Sequence, residues 1–111
     1  MNLDFKKGIY NLLMNAINYT PEGGEIVLKI YTEENSVKCS IKDKGIGIST
    51  YDMIKIFERY YRSDNAVKMN PSGNGIGLSI VKNIIDLHNG KIDIHSIVGQ
   101  GSTFIIGLPV N

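Results

Sequence analysis

The sequence predicts an α+β domain, and three observations carry that reading. Apolar residues recur at helical spacing through two long stretches, Leu3–Tyr19 and Ile76–His88. Period-two alternation marks two adjacent stretches, Glu25–Tyr31 and Val37–Asp43, and strand-forming residues mark two more, Lys91–Ile97 and Ser102–Leu108. Turn signals at Asn35-Ser36 and Gly99-Gln100-Gly101 join the members of each strand pair.

In the first helix Ile9, Leu12, Leu13, Ala16 and Ile17 gather on one face. Asn11, Asn15 and Asn18 gather on the opposite one, and no formal charge occurs between Lys7 and Glu22. Asparagine is a poor helix former, so the stripe costs propensity without adding charge. It is either a polar face rich in asparagine or a row of neutral amides aimed at a ligand or its metal ion. An amide carbonyl is a hard oxygen ligand suited to Mg²⁺. Thr20-Pro21-Glu22-Gly23-Gly24 then stops the helix.

Ile26, Leu28 and Ile30 share one side of the first strand, and Val37, Cys39 and Ile41 share one face of the second. By parity Asp43 belongs with that apolar set. A carboxylate aimed into a core needs donors to offset its desolvation. An adenine amino group can supply them, with Gly45 and Gly47 letting the base lie against the main chain. The alternative is that the strand ends at Lys42 and Asp43 begins a turn. Cys39 reads as a small core residue.

Ser49 or Thr50 caps a short helix expected to run to about Tyr61, with Met53, Ile56, Phe57 and Tyr60 at helical spacing. Arg62 follows as a candidate phosphate contact. Ser63–Ser72 has no periodicity and reads as a mobile lid or an ordinary surface loop. Gly73, Gly75 and Gly77 then feed the second long helix, whose unpaired N–H groups and dipole suit a phosphate near Gly75–Leu78. The P-loop pattern is absent, since Leu78 and Ser79 follow Gly77, and a dinucleotide fingerprint fails on spacing and on the polar loop before Gly73. Ile80, Val81, Ile84, Ile85 and His88 mark the core side, and Asn89-Gly90 the C-cap. His88 reads as structural, His95 as exposed, and neither has spacing for a metal or a triad.

At 111 residues, with twelve basic and eleven acidic side chains, the chain is one domain without an electrostatic footprint for nucleic acid or a membrane surface. No apolar run spans a bilayer and no signal peptide is visible. The single cysteine fits a reducing cytoplasm.

Four ordered segments carry a specific likeness: Asn11-Leu12-Leu13-Met14-Asn15-Ala16, Asp43-Lys44-Gly45-Ile46-Gly47-Ile48, Ile56-Phe57-Glu58-Arg59-Tyr60-Tyr61-Arg62 and Gly73-Asn74-Gly75-Ile76-Gly77-Leu78-Ser79-Ile80-Val81-Lys82. They resemble the N, G1, F and G2 boxes of sensor histidine kinases, and the ending from His88 to Pro109 resembles the end of the same catalytic domain. The resemblance implies the fold shared with gyrase-type and Hsp90-type ATPases, a two-layer sandwich whose mixed, mostly antiparallel sheet is covered on one face by three helices.

Carried over position by position, the resemblance implies that Asn15 holds Mg²⁺ with help from Asn11 and that Asp43 accepts from the adenine amino group of ATP. Gly45, Gly47 and Ile48 then flank the base, with Tyr19 stacked near it, and Tyr61 and Arg62 stand near ribose or phosphates. Gly73, Gly75, Gly77 and Leu78 meet the phosphates, and Ser102 joins a water network beside Asp43.

At position 18 the family commonly has Lys or Arg, whereas Asn18 brings no charge to a phosphate. The resemblance implies a phosphoacceptor histidine within an H-E or H-D motif on a separate helical-hairpin domain, with a response regulator downstream, and neither His88 nor His95 lies in such a motif. Met1 falls where the family has a strand leading in from that hairpin, so an excised catalytic domain is expected. The resemblance further implies a monomeric, cytoplasmic domain that touches neither nucleic acid nor membrane. Such a domain binds MgATP and holds no catalytic residue beyond nucleotide positioning, so its turnover alone is very slow. The rival readings are a protein-serine kinase of the anti-sigma-factor type and a nucleotide-binding module without transfer.

Overall fold

A computed structural model describes residues 2–110 of the chain. The elements run α1 (Leu3–Tyr19), β1 (Ile26–Glu33), β2 (Ser36–Asp43), α2 (Thr50–Met53), α3 (Asp64–Met69), α4 (Gly77–Leu87), β3 (Lys91–Ile97) and β4 (Gly101–Pro109). One sheet holds the four strands in the order β1-β2-β4-β3. All three pairings are antiparallel, so the described residues contain no parallel component of the expected mixed sheet.

The β1–β2 turn falls on Glu34 and Asn35, whose φ values of 50° and 62° suit the tight hairpin geometry that matches strand twist. Helices α1 and α4 pack against each other over one face of the sheet. Phe5, Leu12 and Ala16 of α1 and Val81 and Ile85 of α4 meet Cys39, Ile41, Phe104, Ile106 and Leu108 of the central strands. The opposite face carries Lys29, Lys42, Asp93 and His95, all exposed. Cys39 is fully buried, and burial pushes its thiol up to about 11, as expected of an inert core residue. No helix among the described residues is long and apolar enough to cross a membrane.

Two expectations about the middle of the chain are corrected. The helix after Ser49 ends at Met53 instead of continuing to about Tyr61. Turns bonded three residues back replace it, Lys55 to Asp52 and Glu58 to Lys55, which drop Ile56 into the core. Tyr60 then takes φ 70° and donates its N–H to Gly75 O at 2.9 Å, a long-range pairing that helical continuation would prevent. Ser63–Ser72 is not structureless, because Asp64–Met69 forms α3, with Ser63 Oγ accepting from Ala66 N at 3.1 Å. Six residues are fewer than two helical turns, too short to show a periodicity.

His88 caps the C-terminal end of α4, where Asn89 takes φ 55° and Gly90 N reaches Ile85 O at 2.8 Å. Its Nε2 stands 2.9 Å from Asp4 Oδ2, tying the end of α4 to the start of α1, a structural part as expected.

Candidate functional site

A cavity of about 320 Å³ opens between the amide face of α1, the loop after β2, α3 and the start of α4. Every residue that the resemblance assigns to the nucleotide or its Mg²⁺ lines it except Gly45, whose amide instead braces Asp43 from behind.

Asp43 ends β2 in the inward row with Cys39 and Ile41 and is 7% exposed. The parity reading therefore holds over the turn alternative. Its Oδ1 accepts from Gly45 N at 2.8 Å and from Ser102 N at 3.2 Å, while Oδ2 has no donor among the described residues. Burial outweighs those two donors and raises the carboxyl pKa above its ordinary value. A carboxylate with one oxygen braced and the other offered to a cavity is an acceptor awaiting a donor. The loop beyond folds tightly over the strand ends: Gly47 has φ 72°, and any Cβ there would collide with the Ile97 carbonyl. Ile46 N donates to Tyr19 O at 3.1 Å and Gly99 N to Ile46 O at 2.8 Å, which hold this loop as one wall.

Asn11, Asn15 and Asn18 all line the opposite wall, so the amide stripe faces the cavity. Asn11 Nδ2 donates to Lys7 O at 2.9 Å, which leaves Oδ1 as a free acceptor, 3.6 Å from where a Cβ on Gly77 would stand. No group of three or more His, Cys, Asp or Glu side chains among the described residues could hold a metal. A cation here would rest on neutral amide oxygens and on the oxygens of its ligand, a donor set that fits Mg²⁺.

Side-chain oxygens of Asn2, Ser49 and Ser63 cap α1, α2 and α3, but α4 has no side-chain cap. Its first residues, Gly77 and Leu78, line the cavity at the positive end of the dipole, with N–H groups that find no partner among the described residues. Anionic groups are favoured there.

Arg62 lies against α3. Its Nη2 donates to Tyr19 OH and Ala66 O, both at 3.0 Å, and to Asn70 O, while Nε is buried with no partner among the described residues. Gly73 leaves room for this fan, since a Cβ there would lie 2.8 Å from Nη2. Tyr61 OH donates to Asp52 Oδ1, and Asp52 Oδ2 accepts from Ser49 Oγ at 2.9 Å. The bond to Asp52, then burial, push the Tyr61 hydroxyl up to about 12. Sequence reasoning passed over Asp52 and Ser96, whose only local signals are a capping motif after Ser49 and a hydroxyl in an apolar alternation.

Residues 2–111 match the family described as "Histidine kinase-, DNA gyrase B-, and HSP90-like ATPase". The circadian input-output histidine kinase CikA of Thermosynechococcus vestitus is 39% identical over 101 residues, which are 91% of this chain and 14% of that protein. The sensor histidine kinase WalK of Bacillus subtilis is 42% identical over 101 residues, 89% of this chain and 16% of that one. Among solved structures, a mycobacterial sensor histidine kinase, MprB, superposes with a TM-score of 0.80 at 28% identity, covering 96% of this chain and 70% of that one. The catalytic domain of the histidine kinase ThkA gives 0.79 at 29% identity over 96% of this chain and 66% of that one. The chain thus spans a small part of the length of the curated relatives it matches. It belongs to the family of histidine kinase-, DNA gyrase B- and HSP90-like ATPases, as an ATP-binding catalytic domain of the sensor-histidine-kinase type.

Proposed function

We propose that this domain binds MgATP in the cavity bounded by Asp43 and the start of α4, and donates the γ-phosphoryl group to a histidine on a separate helical-hairpin domain. The observation that carries the reading is the Asp43 carboxylate, buried at 7% exposure with Oδ2 unpartnered at the cavity wall. An adenine amino group is the donor it lacks, and Gly47 and Ile48 bound the base beside it. Ribose and phosphates extend toward Tyr61, Arg62 and the uncapped N–H groups of α4, while Asn15 and Asn11 turn amide oxygens to Mg²⁺ bound with the phosphates.

The chemistry is positioning. The helix start and a bound Mg²⁺ neutralise triphosphate charge, and α3 over Arg62 covers the site. His88 is engaged with Asp4 and His95 stands on the exposed sheet face, which supports an acceptor outside these residues. In the full-length protein a response regulator then receives the phosphoryl group.

The test is transfer from γ-labelled ATP to a separately supplied hairpin domain. Acid-labile phosphate on histidine is the expected product. Acid-stable phosphate on serine would instead support the anti-sigma-factor-type kinase, and tight binding without transfer a nucleotide-binding module, for which Asn18 on the cavity wall is the one favouring feature.

A further inference from the structure

Asp43, Ser102 and Ser96 form one row across β2, β4 and β3, because Asp43 pairs with Ser102 and Ser102 with Ser96. The row lies at one end of the sheet, and Ser96 occupies the inward position that Ile92 and Ile94 hold further along β3. Ser96 does not line the cavity, yet it bonds two residues that do. Its Oγ accepts from Ile48 N at 2.7 Å, lies 2.7 Å from Ser102 Oγ, and reaches Gly101 O at 3.1 Å.

A hydroxyl has one proton, so these contacts permit two arrangements. If Ser96 donates to Gly101 O, the short contact to Ser102 must be a bond from Ser102, which then shows only lone pairs to the cavity. If Ser96 donates to Ser102, the Ser102 proton is released toward the cavity. The Ser96 proton therefore decides whether Ser102 offers a donor or an acceptor. The adenine edge presents an amino donor beside a ring-nitrogen acceptor. Asp43 answers the amino group, and the ring nitrogen needs a proton that a carboxylate cannot supply.

We propose that Ser96 is a positioning residue for purine recognition, acting through Ser102: its bond to Ser102 Oγ turns the Ser102 hydroxyl proton toward the adenine ring nitrogen N1. This rests on the reading of the Asp43 cavity as the adenine site. Ser96 also braces the base-flanking loop through Ile48 N, a purely structural service that affects all adenine nucleotides alike.

Calorimetry with ADP and with 1-deaza-ADP, in which N1 is replaced by CH, separates the two roles. Wild type should bind ADP about tenfold more tightly than the analogue, and Ser96→Ala should lose most of that preference, weakening ADP by about tenfold and the analogue less than about twofold. Ser96→Thr, which keeps the hydroxyl, should restore it. Equal weakening of both ligands by Ser96→Ala, or no weakening of ADP, overturns the proposal. If Ser96→Ala fails to fold by circular dichroism, Ser96→Cys decides, because a thiol is too weak a donor to hold the Ser102 hydroxyl: preference retained overturns the proposal, and preference lost supports it. A wild-type domain that binds neither ligand would overturn the adenine reading itself, a failure distinct from the loss of Ser96's role alone.

Discussion

Arg62 Nη2 donates to the hydroxyl of Tyr19 at 3.0 Å, joining the last residue of α1 to a side chain 43 positions further along the chain. The same nitrogen holds Ala66 O at 3.0 Å and Asn70 O, so one guanidinium fastens the middle and the C-terminal end of α3 to the first helix. Helix α3 is short and carries no buried residue, so this fan is its main tie to α1.

Removing the Tyr19 hydroxyl should therefore loosen α3 without unfolding the domain. For Tyr19→Phe, amide hydrogen exchange over residues 66–71 should rise about fivefold, the effect of losing about 1 kcal/mol from a hydrogen bond to a charged donor at a half-buried site. Gly73→Ala should act in the same direction, because its Cβ would displace the guanidinium from 2.8 Å away. Exchange at the core strands should stay unchanged in both variants, measured by mass spectrometry on peptides from the same digests.

Asp43→Asn should separate binding from stability. Burial holds the Asp43 pKa above 3.8 in the folded state, so the folded protein keeps that proton more tightly than the unfolded chain does. The stability this provides is complete below the unfolded pKa and is lost as pH rises through the folded one. At neutral pH the site thus carries a net cost that Asn removes, while its amide oxygen can still accept from Gly45 N and Ser102 N. The melting temperature of Asp43→Asn should equal or exceed that of wild type, yet ATP binding by calorimetry should be abolished. In wild type, ATP affinity should fall as pH is lowered through the raised Asp43 pKa, since protonation removes the acceptor for the amino group.

Tyr61 provides a spectroscopic reading of its own pocket wall. Its hydroxyl titrates at about 12, above the ordinary 10.0, chiefly because of the bond to Asp52. The stability contributed by that bond is present below pH 10 and is lost as pH rises toward 12. Absorbance titration of Asp52→Ala against a Tyr61→Phe reference should show this tyrosine ionising closer to 10.0. An unmoved transition would mean that burial, and not Asp52, sets the hydroxyl.

Much of the site was legible in the linear order of residues because its signals are periodic and local. Parity along β2 puts Asp43 inward with Cys39 and Ile41, and the 3.6-residue repeat puts Asn11, Asn15 and Asn18 on one face, both independently of any distant neighbour. What the sequence by itself determined was which side chains share a face, since that depends only on backbone geometry within a few residues. The tertiary structure alone decided the break after Met53, where Tyr60 pairs with Gly75, the fan of Arg62 onto Tyr19 and α3, and the row that sets Ser96 beside Ser102. Each of these depends on strand order and register or on a hydrogen bond between distant segments, and such partners exist only once the chain has closed on itself.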